Sequence, residues 1–483
     1  MSKKSKKNKK TVNILSSIIG IIFDISLIIF SYLIIKLDVL PTKYFSGLFG
    51  ILLVITVIFN LILFVPKVKS KLKIGTDIFS VLFSIVFCIG INYLYNTNDF
   101  FNKITDSKYQ VENYYVVVLD NGTYNNIKDL KNDNMGIFVS NTDSYKEARE
   151  KLLDKVKTKN KDYDDANSLA KDLLKENVDA MFISETYKVA LDEEIDDFKS
   201  STKILDTISI KTKNKDIVKD VKVTKEPFNI FVSGIDTYGK ISNVSRSDVN
   251  MIVTVNPNTH EILLTSIPRD YYVQLNGTTG LKDKLTHAGI YGVDKSVKTL
   301  EDLFGIEINY YVRVNFTTLI DVVDIIGGID VYSDATFVPW TDRTIKINKG
   351  MIHMNGKTAL AFSRERHAYR EGDRHRVKNQ QDVITAIMNK ILSSKTIISK
   401  YNSLLNTLDG SFQTNMDTKD LTSLIKKQLN DMPKWTITSQ SVNGSDSSNY
   451  TYSYPKQKLY VMIPDMSTVN EATTKINEVL NKD

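Results

Sequence analysis

Three unbroken apolar runs, Val12–Ile35, Tyr44–Val65 and Ile74–Leu94, open the chain. Each is long enough to cross a bilayer, which takes roughly 20 residues. Beyond them the pattern changes to short β-branched runs separated by amphipathic stretches. Tyr114–Leu119, Gly136–Ser140, Ala180–Ile183 and Ile204–Ile210 predict strands. Asp143–Val156 and Ala166–Glu176 predict helices capped by Asp143 and Asp165. This alternation predicts a small α/β unit, set off by a polar linker at 98–113 and a lysine-rich boundary at Lys211–Glu226.

From Pro227 a second α/β pattern begins. Strands are expected at Phe228–Ile235, Val249–Val255, Glu261–Ile267, Asn309–Asn315, Ile329–Tyr332 and Leu360–Arg366. Helices are expected at Val293–Phe304, at Thr317–Ile326 (stopped by Gly327-Gly328) and at Val377–Leu392. Leu319, Val322, Val323 and Ile326 form one apolar stripe, and Ile384, Ile387, Met388, Ile391 and Leu392 another. Such stripes ordinarily cover a sheet; the sharper reading is a slot for a lipid tail. The expected organisation is a lysine tail with three transmembrane helices (1–97), an α/β accessory domain (98–217) and a larger α/β domain (218–483).

Charge orients this arrangement. Residues 1–10 carry six lysines, and the loop after the second run carries Lys67, Lys69, Lys71 and Lys73, whereas the first loop has only Lys36 and Lys43. Positive flanks stay in the cytoplasm, so everything after Leu94 is expected outside. The net charge of +7 is then misleading: residues 1–95 hold twelve lysines against Asp24, Asp38 and Asp77, which leaves −2 for the remainder. That balance and the topology argue against nucleic acid as a partner. The single cysteine, Cys88, lies in the third run, so the exported part has no disulfide. Asp24 sits inside the first run, either as a functional intramembrane acid or as one paired within the bundle.

Against this near-neutral background, Ser363–Gln381 contains Arg364, Arg366, Arg370, Arg374, Arg376 and Lys378. Arginine is favoured where a planar fork must grip phosphate or carboxylate. The competing reading is a surface salt-bridge network with Glu365, Glu371 and Asp373. Pairing geometry enlarges the cluster: a hairpin turning near Pro257-Asn258 sets Arg246 and Asp248 beside Arg269, and Asp236 ends the preceding strand. Arg364 and Arg366, two apart on a strand, would share a face, and Arg376 and Gln380 lie four apart on a helix. Two carboxylates among arginines suit Mg²⁺ bridging to phosphate oxygens. Asp236 and Asp248 as plain strand-end turn residues are the alternative. Gly350–Thr358 has five residues between its glycines where a phosphate-binding P-loop needs four. The five histidines lack metal-ligand spacing.

The segments NIFVSGIDTYG (229–239), SRSDVNMIVTVNP (245–257), LLTSIPRDYYV (263–273), KLTHAGIYG (284–292), LIDVVDIIGGIDV (319–331), MNGKTALAFSRER (354–366) and GDRHRVKNQQ (372–381) resemble the LytR–CpsA–Psr family, most of all its capsule-locus branch. The resemblance implies a central mixed sheet flanked by helices and a hydrophobic tunnel for a prenyl chain. It implies an extracytoplasmic phosphotransferase that moves capsular polysaccharide, or a related glycopolymer, from a polyprenyl-pyrophosphate carrier to a peptidoglycan sugar hydroxyl. By motif, Asp236 and Asp248 would hold Mg²⁺ (or Mn²⁺), and Arg246, Arg269, Arg364, Arg366, Arg376 and Gln380 would bind pyrophosphate, with Lys284 a weaker addition. Asp248, Arg269, Arg364 and Arg366 are the expected catalytic set. A membrane sensor that binds the same lipid without turning it over is the rival expectation.

Overall fold

The computed structural model describes residues 3–105, 109–140, 142–213, 217–239, 241, 245–393, 410–455 and 457–482. Helices α1 (Lys3–Leu37), α2 (Thr42–Phe64) and α3 (Ser70–Thr105) are each long and apolar enough to cross a membrane. Their apolar side chains face mostly outward, while polar groups meet inside. The Asn60 amide donates to Asp24 at 3.2 Å, Ser16 donates to Asp77 at 2.9 Å, and the Lys73 ammonium donates to the Leu63 carbonyl at 2.8 Å. Asp24 is thus paired within the bundle.

The expected linker at 98–113 is not one. The 36 residues of α3 measure about 54 Å at 1.5 Å per residue, well beyond a hydrocarbon core of about 30 Å. Its last turns bury Phe100, Phe101 and Ile104 with Leu37 against Val322, Phe412, Leu421 and Ile425. The Asn/Thr/Asp letters around residue 98 made this segment look polar and hid the apolar face at 100, 101 and 104. Residues 106–108 and 214–216, in the two expected linkers, lie outside the described residues.

The small unit is a five-stranded sheet ordered β3-β2-β4-β1-β5, built from β1 (Tyr109–Leu119), β2 (Asn134–Phe138), β3 (Lys159–Tyr163), β4 (Ala180–Ser184) and β5 (Thr202–Lys213). Strand β2 runs parallel to both β3 and β4, and β1 runs antiparallel to β4 and β5. Helices α4 (Asp143–Lys155), α5 (Ala166–Leu174), α6 (Glu185–Glu194) and α7 (Phe198–Ser201) complete it. Asp165 caps α5 as expected, but Thr142, not Asp143, caps α4, accepting from the Tyr145 amide at 3.2 Å. β5 runs on to Lys213, into the expected boundary, because Tyr109 at the start of β1 supplies a partner there.

The large unit centres on a mixed sheet ordered β14-β11-β6-β7-β8-β15: β6 (Phe228–Ile235), β7 (Val249–Asn256), β8 (Glu261–Ile267), β11 (Tyr310–Asn315), β14 (Phe412–Thr414) and β15 (Thr436–Ser441). The intervening short strands β9 (Tyr272–Val273) and β10 (Asp283–Lys284) pair with each other, as do β12 (Ile329–Ser333) and β13 (Gly350–Met354). So do the last two strands, β16 (Gly444–Tyr450) and β17 (Lys458–Pro464). Between and after these strands run α8 (Leu285–Ala288), α9 (Val293–Phe304), α10 (Phe316–Ile325), α11 (Gly356–Arg364), α12 (Asp373–Ser393), α13 (Thr418–Asp431) and α14 (Met466–Leu480). Period-two alternation sends Phe231, Ile252, Leu263 and Tyr311 to a core with α9 and α14. Met251, Val253, Leu264 and Tyr310 face the other way, toward Ile384, Met388 and Leu392 of α12 and Leu421 and Leu424 of α13. Helices cover both faces.

Two expected elements differ. Leu360–Arg366, read as a strand, is the C-terminal half of α11 and the loop that follows. Asn355 caps this helix through the Thr358 amide at 2.9 Å. A Cβ on Gly356 would meet the Ile320 carbonyl oxygen at 2.2 Å, so glycine lets α10 and α11 touch. Ala359 to Ser363 are all buried, so no helical period shows in the sequence and the alternation of Leu360, Phe362 and Arg364 misleads. Contrary to expectation, the glycine pair of Gly350–Thr358 thus leads into a helix, and its Gly356 amide donates to Asp324 at 2.7 Å. α12 starts at Asp373, four residues before the expected Val377.

Candidate functional site

At the carboxyl end of β6 and the amino end of β7, a pocket of about 120 Å³ opens between the sheet and helices α10, α11 and α12. Its lining joins a polar set, Asp236, Asp248, Arg364, Arg376 and Gln380, to an apolar set, Val232, Val249, Val314, Leu319, Leu360, Val383 and Ile384. Both stripes read from the sequence contribute here: Leu319 from the first and Ile384 from the second.

The hairpin places the first pair. Asn250 faces Ile267 and Asn256 faces Glu261, a register one residue from that expected, which aligns position 248 with 269. Arg269 Nη1 donates to Asp248 Oδ1 at 2.8 Å, with side chains 24% and 16% exposed. Arg269 Nε also lies 3.5 Å from Asp270, and Asp270 takes the Lys284 ammonium at 2.9 Å. Burial works against the Arg269 charge, but Asp248 and Asp270 outweigh it and hold the guanidinium more firmly protonated than usual. Lys284 is spent on Asp270; neither it nor Arg269 is among the residues lining the pocket, which Arg269 reaches through Asp248.

Arg364, which lines the pocket, ends α11. Its guanidinium sits 4.3 Å from the Phe316 ring centre and 3.4 Å from Asp236. Burial raises the Asp236 carboxyl above its ordinary value; Arg364 opposes this and the Asp248 charge adds to it. Arg376, on the first turn of α12, is 13% exposed and paired with Asp373 at 2.9 Å. Burial lowers its pKa, Asp373 resists, and the Arg269 charge adds to the lowering. A site that strains cations and carboxylates alike by burial and mutual repulsion is primed for ligands that carry both signs, such as a phosphate with a metal ion.

The arginine run therefore divides. Arg364 and Arg376 enter the pocket; Arg366 is exposed just beyond α11, near enough for its charge to act on Arg376. Arg374 turns away to the Gly444 carbonyl at 2.9 Å, and Lys378 pairs with Asp334. Arg370 is exposed. Of the expected salt-bridge network with Glu365, Glu371 and Asp373, the described residues show the Arg376–Asp373 pair, whereas Arg374 lies 3.8 Å from Asp446 and Lys378 pairs with Asp334. Arg246 lies on the loop before β7, outside the pocket lining, with its charge acting on buried His287. His367 packs its ring 4.8 Å from Trp340, and His375 stacks on Tyr369.

Several supporting residues escaped the sequence reading. Glu365, 1% exposed, accepts from the amides of Trp340 (2.6 Å), His367 (2.6 Å) and Ala368 (2.9 Å), folding the turn that separates Arg364 from Arg366. Its position between two arginines was the available signal, but an acid among arginines reads first as a salt bridge. The α8 segment clamps both sides of the hairpin: the Thr286 carbonyl accepts from the Ser247 amide at 3.2 Å, and the Thr286 amide donates to the Arg269 carbonyl at 2.8 Å. Behind it, Asp283, fully buried, bonds the His287 ring at 2.6 Å. A Cβ on Gly289 would meet the Ser245 carbonyl at 2.6 Å, so the loop carrying Arg246 and Asp248 rests directly on glycine backbone.

Among the described residues no group of three or more His, Cys, Asp or Glu side chains is arranged to hold a metal. Asp236 and Asp248 are the carboxylates among the lining residues, and each is paired with an arginine, Asp236 with Arg364 and Asp248 with Arg269.

Teichoic acid transferase TagU of Bacillus mycoides is 34% identical over 238 residues, covering 48% of this chain and 76% of that protein. TagU of Bacillus anthracis is 36% identical over 215 residues, covering 44% and 68%. The crystal structure of Bacillus subtilis TagV aligns with 31% identity and a TM-score of 0.45, over 54% of this chain and 99% of that one. The sequence profile of the LytR_cpsA_psr family matches residues 195–474, more than half of the chain, and the chain belongs to that family.

Proposed function

We propose that the protein is a phosphotransferase that moves a glycopolymer from a polyprenyl-pyrophosphate carrier to a hydroxyl of peptidoglycan, working outside the cell. The observation that carries this reading is that one pocket is lined both by Arg364, Arg376, Gln380, Asp236 and Asp248 and by a set of apolar side chains, which suits a pyrophosphate, with a metal ion, attached to a hydrocarbon chain. The TagU relatives are named as polyisoprenyl-teichoic acid–peptidoglycan transferases, and the outward orientation follows from the lysine distribution. Capsular polysaccharide is the glycopolymer we assign, from the capsule-locus resemblance of the motifs.

In this reading the acceptor oxygen forms a bond to the phosphorus that bears the sugar, the bond from that phosphorus to the bridging oxygen breaks, and polyprenyl monophosphate leaves. The hydroxyl proton passes to a carboxylate of the pocket. Arg364, Arg376 and Gln380 grip the pyrophosphate, and Arg269 acts on it through Asp248. Such preorganised donors stabilise charge that develops in the transition state. Mg²⁺ (or Mn²⁺) on Asp236 and Asp248 would neutralise phosphate charge and fix its orientation. Arg366 and Arg246 flank the pocket and meet the longer substrate; Lys284 acts through Asp270 and Arg269.

The test is transfer by the full chain in nanodiscs, with a polyprenyl-pyrophosphate oligosaccharide as donor and peptidoglycan fragments as acceptor. Asp248→Ala and Arg364→Ala should each slow release of polyprenyl monophosphate by about 100-fold or more. Unchanged turnover in both would overturn the assignment.

A further inference from the structure

The hairpin of β16 and β17 presents a surface that the phosphate pocket does not use. Asn443–Tyr460 holds four tyrosines, four serines and two asparagines, residue types that supply rigid amphipathic rings and adaptable hydrogen bonds in recognition loops. Ser448 pairs with Tyr460, and Tyr450 with Lys458. Period-two alternation therefore sends Tyr450 and Tyr460 to one side of the hairpin as diagonal neighbours. Both stay open to solvent, 43% and 47% exposed, and Tyr452, just beyond the strand, is 42% exposed. Exposed rings gathered on one hairpin mark a recognition surface, unlike apolar residues scattered singly. The surface is already ordered. The Tyr460 hydroxyl donates to Asp446 at 2.9 Å, the Tyr272 hydroxyl donates to the Tyr450 carbonyl at 2.8 Å, and the Tyr452 ring packs edge-on against Tyr291 at 6.1 Å. A ligand binding here meets little of the cost of ordering side chains.

This surface is continuous with the phosphate site. The Lys284 ammonium lies 5.9 Å from the centre of the Tyr460 ring and bonds Asp270, which adjoins Arg269 and, through it, Asp248. The charges of Asp270 and Asp373 both act on the Tyr460 hydroxyl, and Asp373 is the partner of Arg376 in the pocket. Arg374, on the first turn of α12, donates to the Gly444 carbonyl where the hairpin starts. The chemistry of the face fits a chain of sugar rings: the C–H face of a pyranose packs on a tyrosine ring, and its hydroxyls meet Asp446, Ser448 and Lys458 on the same side of the hairpin. The course of phosphoryl transfer selects which sugar chain. Attacking and leaving oxygens lie roughly in line across the phosphorus, so the acceptor approaches from a side other than the apolar lining that takes the lipid. The route past Asp248, Arg269, Asp270 and Lys284 is charged, and it ends on the tyrosines.

We propose that the β16–β17 face binds the acceptor, a glycan strand of peptidoglycan, along Tyr460 and Tyr450 while the strand's reacting hydroxyl enters the pocket. The proposal rests on the phosphotransferase reading. Calorimetric titration of the full chain in detergent micelles uses peptide-free peptidoglycan strands, their single disaccharide unit, and the glycopolymer oligosaccharide freed of its lipid. Saturable binding of the strand, at least tenfold tighter than that of the disaccharide, is expected. Tyr450→Ala and Tyr460→Ala should each weaken it at least tenfold, and Tyr450→Phe, which keeps the ring, by less than threefold. Tyr332→Ala, at an exposed tyrosine on β12, should leave it intact. In the transfer assay Tyr450→Ala should raise the KM for strands at least tenfold and change kcat far less. Oligosaccharide bound as tightly as the strand would assign the face to the donor and overturn the proposal. So would the absence of saturable heat from the strand, undiminished binding by Tyr450→Ala, or equal weakening by Tyr332→Ala. A chain that binds the strand through these tyrosines but transfers nothing would support this surface and overturn the phosphotransferase reading instead.

Discussion

Removing Arg269 should damage stability and turnover by separable amounts. At 2.8 Å from Asp248, the gross attraction is roughly 6 kcal/mol at an effective dielectric near 20. Exposed pairs retain about 0–1 kcal/mol of such attraction, whereas breaking a fully buried pair costs about 3–5 kcal/mol. With side chains 24% and 16% exposed, this pair lies between, and Asp270 keeps Lys284 when Arg269 is lost. A coupling of about 2 kcal/mol is therefore expected for the Arg269–Asp248 pair. Urea unfolding of the full chain in micelles, followed by tryptophan fluorescence, measures it. Both tryptophans, Trp340 and Trp435, lie in the large unit, so the signal reports the right region. The cycle comprises Arg269→Ala, Asp248→Ala and the double variant. Additivity to within about 0.5 kcal/mol would mean that the two side chains do not support each other, and the geometry described for this wall would be wrong. Turnover should fall further than stability explains, by about 100-fold or more for loss of one oxyanion-type donor.

Other outcomes follow from the same geometry. Arg364→Ala and Arg376→Ala should each lower kcat by about 100-fold, while Arg370→Ala and Arg374→Ala leave it within about threefold in the same transfer assay, since neither lines the pocket. Glu365→Ala removes the acceptor for three amides and should cost about 2–3 kcal/mol in urea unfolding, with Glu365→Gln recovering part of both stability and turnover. Asp236 has a raised pKa in the folded chain, so its ionisation opposes folding as pH rises past the ordinary value of 3.8. Asp236→Asn should then stabilise the chain at neutral pH in chelator and lose that advantage as pH falls below about 4. Added Mg²⁺ should raise the melting temperature of the unsubstituted chain but not of Asp236→Asn.

The parts of the fold that were legible are those with a clean period. The β6, β7 and β8 runs, the extent of α9 and the α10 stop before Gly327 were read within a residue or two. The hairpin arithmetic was off by one, yet it still brought Asp248 to Arg269, because a one-residue error along a strand end is bridged by an arginine side chain. The failures have physical causes. Five successive residues of α11, Ala359 to Ser363, are buried, so burial erased its period. The end of α3 is polar by composition but apolar on one face. Within the arginine run, composition could not separate Arg376, which turns into the pocket, from Arg374, which turns to Gly444: they are two residues apart on a helix, and only its phase decides. Glu365 illustrates a further limit. Its partners are backbone amides, which leave no trace in the side-chain sequence.

The central claim is that one pocket holds both the pyrophosphate and the start of the prenyl chain. A crystal structure with a polyprenyl-pyrophosphate analogue tests it directly. The account predicts phosphate oxygens within hydrogen-bonding distance of Arg364, Arg376 and Gln380, and prenyl carbons along Leu319, Leu360, Val383 and Ile384. A lipid seated elsewhere, with this pocket free of phosphate, would contradict it.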